Sequence, residues 1–323
     1  MSLEVIKSGV LCLLQDAGRY GHHRLGLTEG GPMDAEAFAY CNRLLANPTT
    51  ATAIEISVGG AQFRAHASTF FCVTGASAAL TINDEPAALW QVHTVEAGDI
   101  IALGYANRGC RLYLGIADGF DIQPQFGSTA TVVREGIGGL NGAALEPGDV
   151  VPFSTPFSTG ATPPAPEDGK RRRLHLAEQS QPRYSNSLTV RVVPGYQQRL
   201  FSRTEQRRFF GGPYTVSNAS DRMGYQLEGQ AISCSTSQLL SEGICYGAIQ
   251  IQGNGQPIVL LNDRQTIGGY PKIGTALSLD AARLSQMTPG STVYFAPITP
   301  HTARRALQLA QRFLQNKPLV EAT

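Results

Sequence analysis

Residues 247–272 read GAIQIQGNGQPIVLLNDRQTIGGYPK and contain two short apolar runs separated by a polar turn. The runs are Ala248–Ile251 and Ile258–Leu261, and glycines at Gly253 and Gly255 punctuate the turn between them. Short runs of β-branched residues between glycine-containing turns are typical of strands in barrels and sandwiches. This stretch therefore predicts two β-strands of such a fold.

The same pattern recurs along the chain, which makes the predicted fold mainly β. Further runs rich in Val, Ile, Thr and aromatic residues lie between turns at Phe70–Thr74, Ala79–Ile82, Ile100–Leu103, Arg111–Ile116, Leu188–Val193 and Thr292–Phe295. Three segments resemble one another, Glu96–Leu103, Glu146–Phe153 and Thr288–Phe295. They indicate either an internal duplication or a common turn that feeds a strand. We expect strand content to exceed helix content.

Few helices are predicted, and the clearest is C-terminal. Asp34 is a suitable N-cap for a helix over Ala35–Ala46, and Ser202 with Glu205 matches a capping box. The segment Thr302–Gln315 has one apolar stripe that we expect to pack on a barrel. The stripe consists of Ala303, Ala306, Leu307, Ala310, Phe313 and Leu314.

Charge and composition exclude several classes of protein. The 323 residues carry 26 Lys and Arg against 25 Asp and Glu, and this balance argues against nucleic-acid and membrane-surface binding. No run approaches the ~20 apolar residues of a membrane span, and Val10–Leu14 is too short for a signal-peptide core. The six cysteines are scattered without a disulfide or zinc pattern. We expect a cytoplasmic protein.

A proline-rich stretch interrupts the strand pattern. Ser154–Arg173 contains Pro156, Pro163, Pro164 and Pro166 and ends in the basic run 170–173. We expect an exposed connection, because this composition cannot pack a core. Its charges are either a solvated linker end or a docking site for an acidic partner. The predicted domains are residues 1–180, ending in this connection, and 181–323, with the C-terminal helix.

Common catalytic signatures are missing. The sequence has no P-loop, no complete G-x-G-x-x-G, no G-x-S-x-G, no H-E-x-x-H and no biotin-carrier motif. His22 and His23 are adjacent, and neighbouring side chains in a strand point apart. A polar loop role is therefore favoured over a zinc site, and no metal ligands are predicted.

Three regions carry more polar groups than their apolar surroundings require. They are Gln15–Gly21 with Gly30–Asp34, Ala219–Tyr225, and Gly247–Lys272. Glycines let a ligand approach the backbone, and carboxamides recognise donors and acceptors without charge. Alternatively these groups satisfy one another in turns, with Asp34 only a helix cap and Asp16 and Arg19 only a structural ion pair.

These regions resemble the biotin-dependent carboxyltransferase family, also called allophanate hydrolase subunit 2. The matching motifs extend through nearly the whole chain and are Gln15–Arg19, Gly30–Asp34, Gly136–Gly142, Val193–Gly195, Ser220–Tyr225, Asn254–Thr266 and Gly268–Ile273. The resemblance is strongest to the C-type subunit of bacterial 5-oxoprolinases, a group that includes the Kip anti-inhibitor. It implies two cyclophilin-like β-barrel domains.

The resemblance also implies partner subunits. Members pair with a B-type subunit of related fold, and together with an A-type subunit they form an enzyme that hydrolyses 5-oxo-L-proline to L-glutamate with ATP cleavage. ATP, with Mg²⁺ as its counter-ion, is then a co-substrate of the complex, and this chain is expected to be inactive alone. Without a Walker motif, an ATP site would use backbone amides, carboxamides and a few charges.

Two other functions stay open at this point. One is the carboxyltransferase component of a biotin-dependent urea- or allophanate-type enzyme, with biotin carboxylase and carrier on separate chains. The other is a regulatory protein that binds a kinase inhibitor, which the resemblance to the Kip anti-inhibitor suggests.

The site hypothesis divides the polar residues by role. The expected catalytic residues are Asp263, Lys272, Gln250 and Gln265. Lys272 is suited to anchor a phosphate or carboxylate. Asp263 is suited to orient a nucleophile or to accept a proton, and the two glutamines are suited to hydrogen-bond the lactam or nucleotide. The expected substrate- or nucleotide-binding residues are Asn262, Tyr270, Asp221, Arg222, Asp16, Arg19 and Asp34.

Overall fold

The computed structural model of the protein describes residues 1–154, 173–236 and 239–321. The proline-rich connection predicted over Ser154–Arg173 lies, apart from its two end residues, outside the described residues. Across the described part of the chain, no helix has both the length and the apolar composition needed to cross a bilayer.

Contacts between residues divide the chain into two compact units. Unit 1 comprises Met1–Arg19, Gly30–Arg183 and Asn316–Thr323, and unit 2 comprises Tyr20–Glu29 and Tyr184–Gln315. Each unit thus includes a segment that is distant in sequence from the rest of it. The sequence pattern does not predict that Tyr20–Glu29 belongs to unit 2 or that Asn316–Thr323 belongs to unit 1.

Unit 1 contains two large antiparallel sheets and the two-stranded pair of β12 with the C-terminal strand. Its strands are β1 (Ser2–Ser8), β2 (Leu11–Gln15), β3 (Ala53–Ser57), β4 (Ala61–Ala65), β5 (Thr69–Ser77), β6 (Leu80–Ile82), β7 (Glu85–Ala87), β8 (Val92–Val95), β9 (Ile100–Leu103), β10 (Arg108–Ile116), β11 (Val150–Pro152) and β12 (Leu174–His175). One sheet has the order β11-β1-β4-β9-β6-β7 and the other β2-β3-β10-β5-β8.

The core of unit 1 lies between these sheets. Val5, Phe63 and Ile101 from the six-stranded sheet share one fully buried cluster with Ile54 and Leu112 from the five-stranded sheet. Burial alternates along β4, as expected for a strand with one face on a core. Each such large apolar side chain contributes roughly 1.5–3 kcal/mol when it is fully buried.

Unit 2 contains a closed seven-stranded barrel. The strands of unit 2 are β13 (Ser187–Pro194), β14 (Tyr214–Val216), β15 (Gly224–Gly229), β16 (Glu242–Gly243), β17 (Ala248–Ile251), β18 (Pro257–Leu260), β19 (Ile267–Gly268), β20 (Lys272–Ala276) and β21 (Thr292–Pro297). The barrel has the order β13-β20-β17-β18-β15-β14-β21, and the parallel pair β13–β21 closes it. Strands β16 and β19 form a separate antiparallel pair. The last strand of the chain, β22 (Val320–Glu321), belongs to unit 1, where it pairs with β12.

The mainly β prediction is confirmed, because strand, at 37%, exceeds helix, at 19%. Each strand predicted from the sequence is present. The described helices are α1 (Ala35–Leu44), α2 (Arg203–Gly211), α3 (Ser278–Leu284) and α4 (Pro300–Asn316). Asp34 caps α1 by accepting the N–H groups of Glu36 and Ala37, both at 3.1 Å. Ser202 caps α2 by accepting from Glu205 at 3.3 Å.

The C-terminal helix is present, but part of its predicted packing is wrong. Ala303 is buried, whereas Leu307 is 39% exposed and Phe313 is 68% exposed. The rest of the covered face consists of Ala306, Ala310 and Leu314, which are half-buried. Helical periodicity identifies which side chains share a face, but it does not fix how far a neighbouring element covers that face.

Tyr214 offers a test of the barrel core. Its side chain is 1% exposed, packs in the described structure against Phe209 and Phe295, and its hydroxyl has no hydrogen-bond partner there. Burial raises the pKa of Tyr214 to about 12. Tyr214→Phe should raise the free energy of unfolding by about 1 kcal/mol, because an unsatisfied buried hydroxyl is removed. Urea unfolding measures this change.

The matched control is Tyr225→Phe. The Tyr225 hydroxyl donates to the carbonyl oxygens of Ser285 at 2.8 Å and Met287 at 3.2 Å, so its loss should lower the free energy of unfolding by about 1 kcal/mol. Equal destabilisation by both substitutions would show that the Tyr214 hydroxyl makes a stabilising hydrogen bond, contrary to the structure.

Candidate functional site

Some polar residues of the stretch 247–272 only close a turn. Gln252 donates its backbone N–H to the carbonyl of Gln256 at 3.0 Å, and the Asn254 side chain accepts from the Gln256 N–H at 3.0 Å. The Gln256 side chain bonds both the N–H and the carbonyl of Gly229. For these residues the alternative of a self-satisfied turn is correct.

Gln250 is different, because its carboxamide is buried and lies beside Gly268. The residue lies on β17 opposite Lys272 on β20, next to a register irregularity between Ile249 and Gln250. It is 1% exposed, and its Nε2 has no hydrogen-bond partner within the described structure. An unpaired buried donor costs about 1–3 kcal/mol, so its presence needs an explanation, such as a catalytic role or a bound water or ion.

Lys272 makes an ion pair with Glu242. Its Nζ contacts the Glu242 carboxylate and donates to the carbonyl of Gly243 at 3.4 Å. Glu242 also accepts from the Tyr196 hydroxyl and from Nε2 of Gln197 at 2.5 Å. The hydrogen bond from Lys272, and then that from Tyr196, lowers the pKa of Glu242. The carboxylate is therefore ionised at neutral pH and holds the ammonium in place.

Gly268 brings a second carboxamide to the same place. It pairs with Glu242 in the β16–β19 ladder. A Cβ at Gly268 would lie 2.5 Å from Cδ1 of Ile244, 3.1 Å from Nε2 of Gln250 and 3.6 Å from Nε2 of Gln265. The missing side chain thus leaves both amide nitrogens facing one glycine, and a larger residue would crowd them.

We call Gln250, Gln265, Lys272 and Glu242 the donor cluster. It presents two carboxamides and an ammonium whose charge is balanced by a carboxylate. Such donors match the oxygen atoms of a carbonyl, a carboxylate or a phosphate. Three of the four predicted catalytic residues are therefore neighbours, with Gln250 and Gln265 both beside Gly268 and Gln250 opposite Lys272 on paired strands.

Asp263, the fourth, makes a separate ion pair. Arg222 donates to its two carboxylate oxygens, from Nε at 2.8 Å and from a terminal nitrogen at 2.9 Å. The Asp263 N–H also donates to the carbonyl of Arg222 at 3.0 Å. Both side chains are largely buried. The geometry favours a bracing role between two loops, and the catalytic role of Asp263 stays a prediction.

The remaining unit 2 residues occupy different positions. Asp221 accepts from the N–H groups of Met223 at 2.8 Å and Gly224 at 3.2 Å, so it closes its own turn. Asn262 is half-buried, and Tyr270 is exposed on the segment that leads to β20. Their binding roles stay predictions.

In unit 1, Asp16 and Arg19 hold one loop. Asp16 accepts from the hydroxyl of Ser128 at 2.6 Å and from the N–H of Thr129 at 2.8 Å. Arg19 is fully buried and donates to the carbonyls of Gln125 at 3.0 Å and Ser128 at 3.3 Å. These contacts are structural, and the predicted binding roles are untested.

Asp34 belongs to a buried network. Its N–H donates to the Tyr113 hydroxyl at 2.7 Å, and that hydroxyl donates to Glu55 at 2.7 Å. Glu55 also accepts from the N–H of Met33 at 2.8 Å. Burial first, and then the Glu55 charge, raises the pKa of Tyr113 well above its usual value. The cap role of Asp34 is thus observed, whereas its binding role stays a prediction.

Sequence reasoning missed three residues that support Lys272. Glu242 contacts the Lys272 ammonium, and Tyr196 and Gln197 both donate to Glu242. Oε1 of Gln197 also accepts from the Lys272 backbone N–H at 2.8 Å. Tyr196 directly follows the quoted motif Val193–Gly195, so extending that motif would have found two of them. Glu242 had no comparable signal.

The adjacent histidines do not form a cluster with other ligands in the described structure. His23 lies 3.2 Å from Glu29. Among the described residues, no group of three or more His, Cys, Asp or Glu side chains is arranged to hold a metal ion.

Comparison with known proteins now identifies the family. Residues 25–297 match the family described as carboxyltransferase domain, subdomain A and B. The match spans most of the chain, and the chain belongs to this family.

Two kinds of relative are similar to the chain. It is 33% identical to the C-type subunit of 5-oxoprolinase from Escherichia coli over 316 residues, covering 97% of this chain and 96% of the relative. It is 28% identical to urea amidolyase of Lachancea kluyveri, covering 94% of this chain but 17% of that protein. The crystal structure of urea amidolyase from K. lactis superposes with a TM-score of 0.90 at 27% identity, over 100% of this chain and 20% of that one.

Asp263→Asn distinguishes a bracing role from a catalytic one. The amide that replaces one carboxylate oxygen would face the Arg222 guanidinium with another donor. We expect the free energy of unfolding to fall by about 1–3 kcal/mol, measured by urea unfolding.

Asp221→Asn is the control, since one oxygen of Asp221 accepts both of its hydrogen bonds and an asparagine retains such an acceptor. An Asp263→Asn protein that is as stable as the control but inactive would favour the catalytic role.

Proposed function

We propose that the chain is the C-type subunit of an ATP-dependent 5-oxoprolinase and acts with A and B subunits. The observation that carries this proposal is the end-to-end similarity to the C-type subunit of the Escherichia coli 5-oxoprolinase, over 97% of one chain and 96% of the other. The urea amidolyase relative is much longer, with 17% of its length covered. The sequence identity is also higher to the first kind of relative, at 33% against 28%.

The reaction hydrolyses a lactam, which is a poor electrophile. In the proposal the γ-phosphoryl group of ATP moves to the lactam oxygen and ADP leaves. A water molecule adds to the activated carbon, the ring C–N bond breaks, and the nitrogen takes up a proton to give an acyl phosphate. A second water molecule releases phosphate and leaves L-glutamate. ATP with Mg²⁺ as its counter-ion is the co-substrate of the whole complex, and positioned donors stabilise the transferring phosphoryl group.

We assign the binding of substrate oxygens to the donor cluster. The unpaired Nε2 of Gln250 and the neighbouring amide of Gln265 suit an oxygen on which charge develops. Lys272 adds a cation whose position is fixed by Glu242. Removing one such donor typically lowers kcat by about 10²–10³-fold.

One observation favours a second candidate function. The fold matches that of a urea amidolyase with a TM-score of 0.90 over the whole chain. In that candidate the chain is a carboxyltransferase component that takes the carboxyl group from carboxybiotin on a separate carrier chain. Under this candidate, the site of this chain receives carboxybiotin instead of ATP, and biotin is the cofactor of the complex.

The experiment reconstitutes the chain with its A and B partners and measures glutamate formed from 5-oxoproline with and without ATP. We expect ATP-dependent turnover by the complex and none by the isolated chain. Lys272→Met, Gln250→Met and Gly268→Ala should each lower kcat about 100-fold while the complex still assembles.

Gly253→Ala is the matched control, because a Cβ at Gly253 would meet nothing within 4 Å. If all three variants kept near-normal activity, the site assignment would be wrong. If no assembled complex formed glutamate, and carboxylation of urea with a biotin carboxylase partner were observed instead, the second candidate would replace the first.

A further inference from the structure

Arg264 is a buried cation in the loop between β18 and β19. It is 2% exposed, and its guanidinium donates to the carbonyls of Leu261 and Ile244, both at 3.2 Å. A third bond, at 3.0 Å, reaches the Glu29 carboxylate, and the guanidinium carbon lies 5.9 Å from the centre of the Tyr246 ring. In the described part of the chain, Glu29 is the one carboxylate paired with this cation.

Glu29 ends the segment Tyr20–Glu29, which belongs to unit 2 although it precedes the rest of that unit by more than a hundred residues. The segment contacts Arg264 at two points. The Thr28 hydroxyl donates to the Arg264 carbonyl at 3.2 Å, and Glu29 binds the guanidinium. Nε2 of His23 lies 3.2 Å from the other carboxylate oxygen of Glu29. The segment therefore holds both the main chain and the side chain of Arg264.

Arg264 in turn connects the two segments that form the β16–β19 pair. The Ile244 carbonyl accepts from its guanidinium, and the Ile244 N–H donates to Thr266 at 3.0 Å. Immediately before Ile244 comes the strand on which Glu242 pairs with Gly268. The spacing between these segments thus depends on a cation that is buried and compensated by Glu29.

We propose that Glu29 and Arg264 are positioning residues for the donor cluster. By fixing the β16–β19 pair, they set where Glu242 holds the Lys272 ammonium and where Gln265, the residue after Arg264, presents its amide. The segment Tyr20–Glu29 thereby controls a site whose other residues all come from the second half of the chain. The part of the proposal that concerns substrate rests on the proposed function, whereas the part that concerns the β16–β19 pair does not.

Hydrogen–deuterium exchange on the full chain tests the structural part. Glu29→Gln should accelerate exchange of the Ile244 amide at least about tenfold, because local opening becomes easier. Asp280→Asn is the matched control. It breaks another ion pair of unit 2 with a buried carboxylate, in which Arg191 donates to Asp280 at 2.6 and 2.8 Å. It should leave the Ile244 amide unchanged relative to the rest of the barrel.

The reconstituted complex tests the functional part. Glu29→Gln should raise the KM for 5-oxoproline about five- to tenfold, with a smaller change in kcat, and Glu29→Asp should restore most of the loss. Asp280→Asn should leave KM unchanged. A wild-type complex without 5-oxoproline turnover would overturn the proposed function, while the exchange data would still decide whether Glu29 and Arg264 fix the strand pair.

A second variant covers the case in which an uncompensated Arg264 prevents folding. Glu29→Gln combined with Arg264→Met removes both charges and leaves no buried cation without a partner. We expect this protein to fold, with rapid exchange at Ile244 and a raised KM. Normal exchange and normal KM in the folded double variant would overturn the proposal.

Discussion

Antiparallel pairing of β17 with β20 places Gln250 opposite Lys272, and the chemistry proposed for this protein depends on that register. A shift by one residue would turn every side chain of a strand to the other face of the barrel. The closed ring of seven strands resists such a shift, because each strand is hydrogen-bonded on both sides. The barrel therefore stabilises a buried amide that finds no partner in the described structure, and the energetic cost of that amide is offset by the rest of the core.

Much of the fold was predictable from the sequence, because alternation and turn residues are local signals. The hairpin of β17 and β18 and the caps Asp34 and Ser202 follow from residues close together in the chain. The exposure of Phe313 was not predictable, since it depends on what lies beside α4. The placement of Tyr20–Glu29 in unit 2 likewise depends on contacts far apart in sequence.

The candidate site was predictable in part, for a related reason. Polar residues that exceed the needs of a turn marked Gln250, Gln265 and Lys272. The same signal also marked Asn254, which closes its own turn, and Gln256, whose side chain bonds the main chain of Gly229. Glu242 carries no local signal, because its importance arises only when β16 pairs with β19 and brings its carboxylate to Lys272. The roles of Asp263 and Arg222 depend in the same way on a contact between two loops.

The central claim is that the donor cluster binds the oxygen atoms of the substrate, and a structure of the assembled complex with 5-oxoproline and a non-hydrolysable ATP analogue tests it most directly. We expect a ligand oxygen at about 3 Å from Nε2 of Gln250, within hydrogen-bonding range, and a second ligand oxygen on Lys272 or Gln265. A ligand bound elsewhere, with Gln250 still facing Gly268 and making no contact to it, would contradict the account.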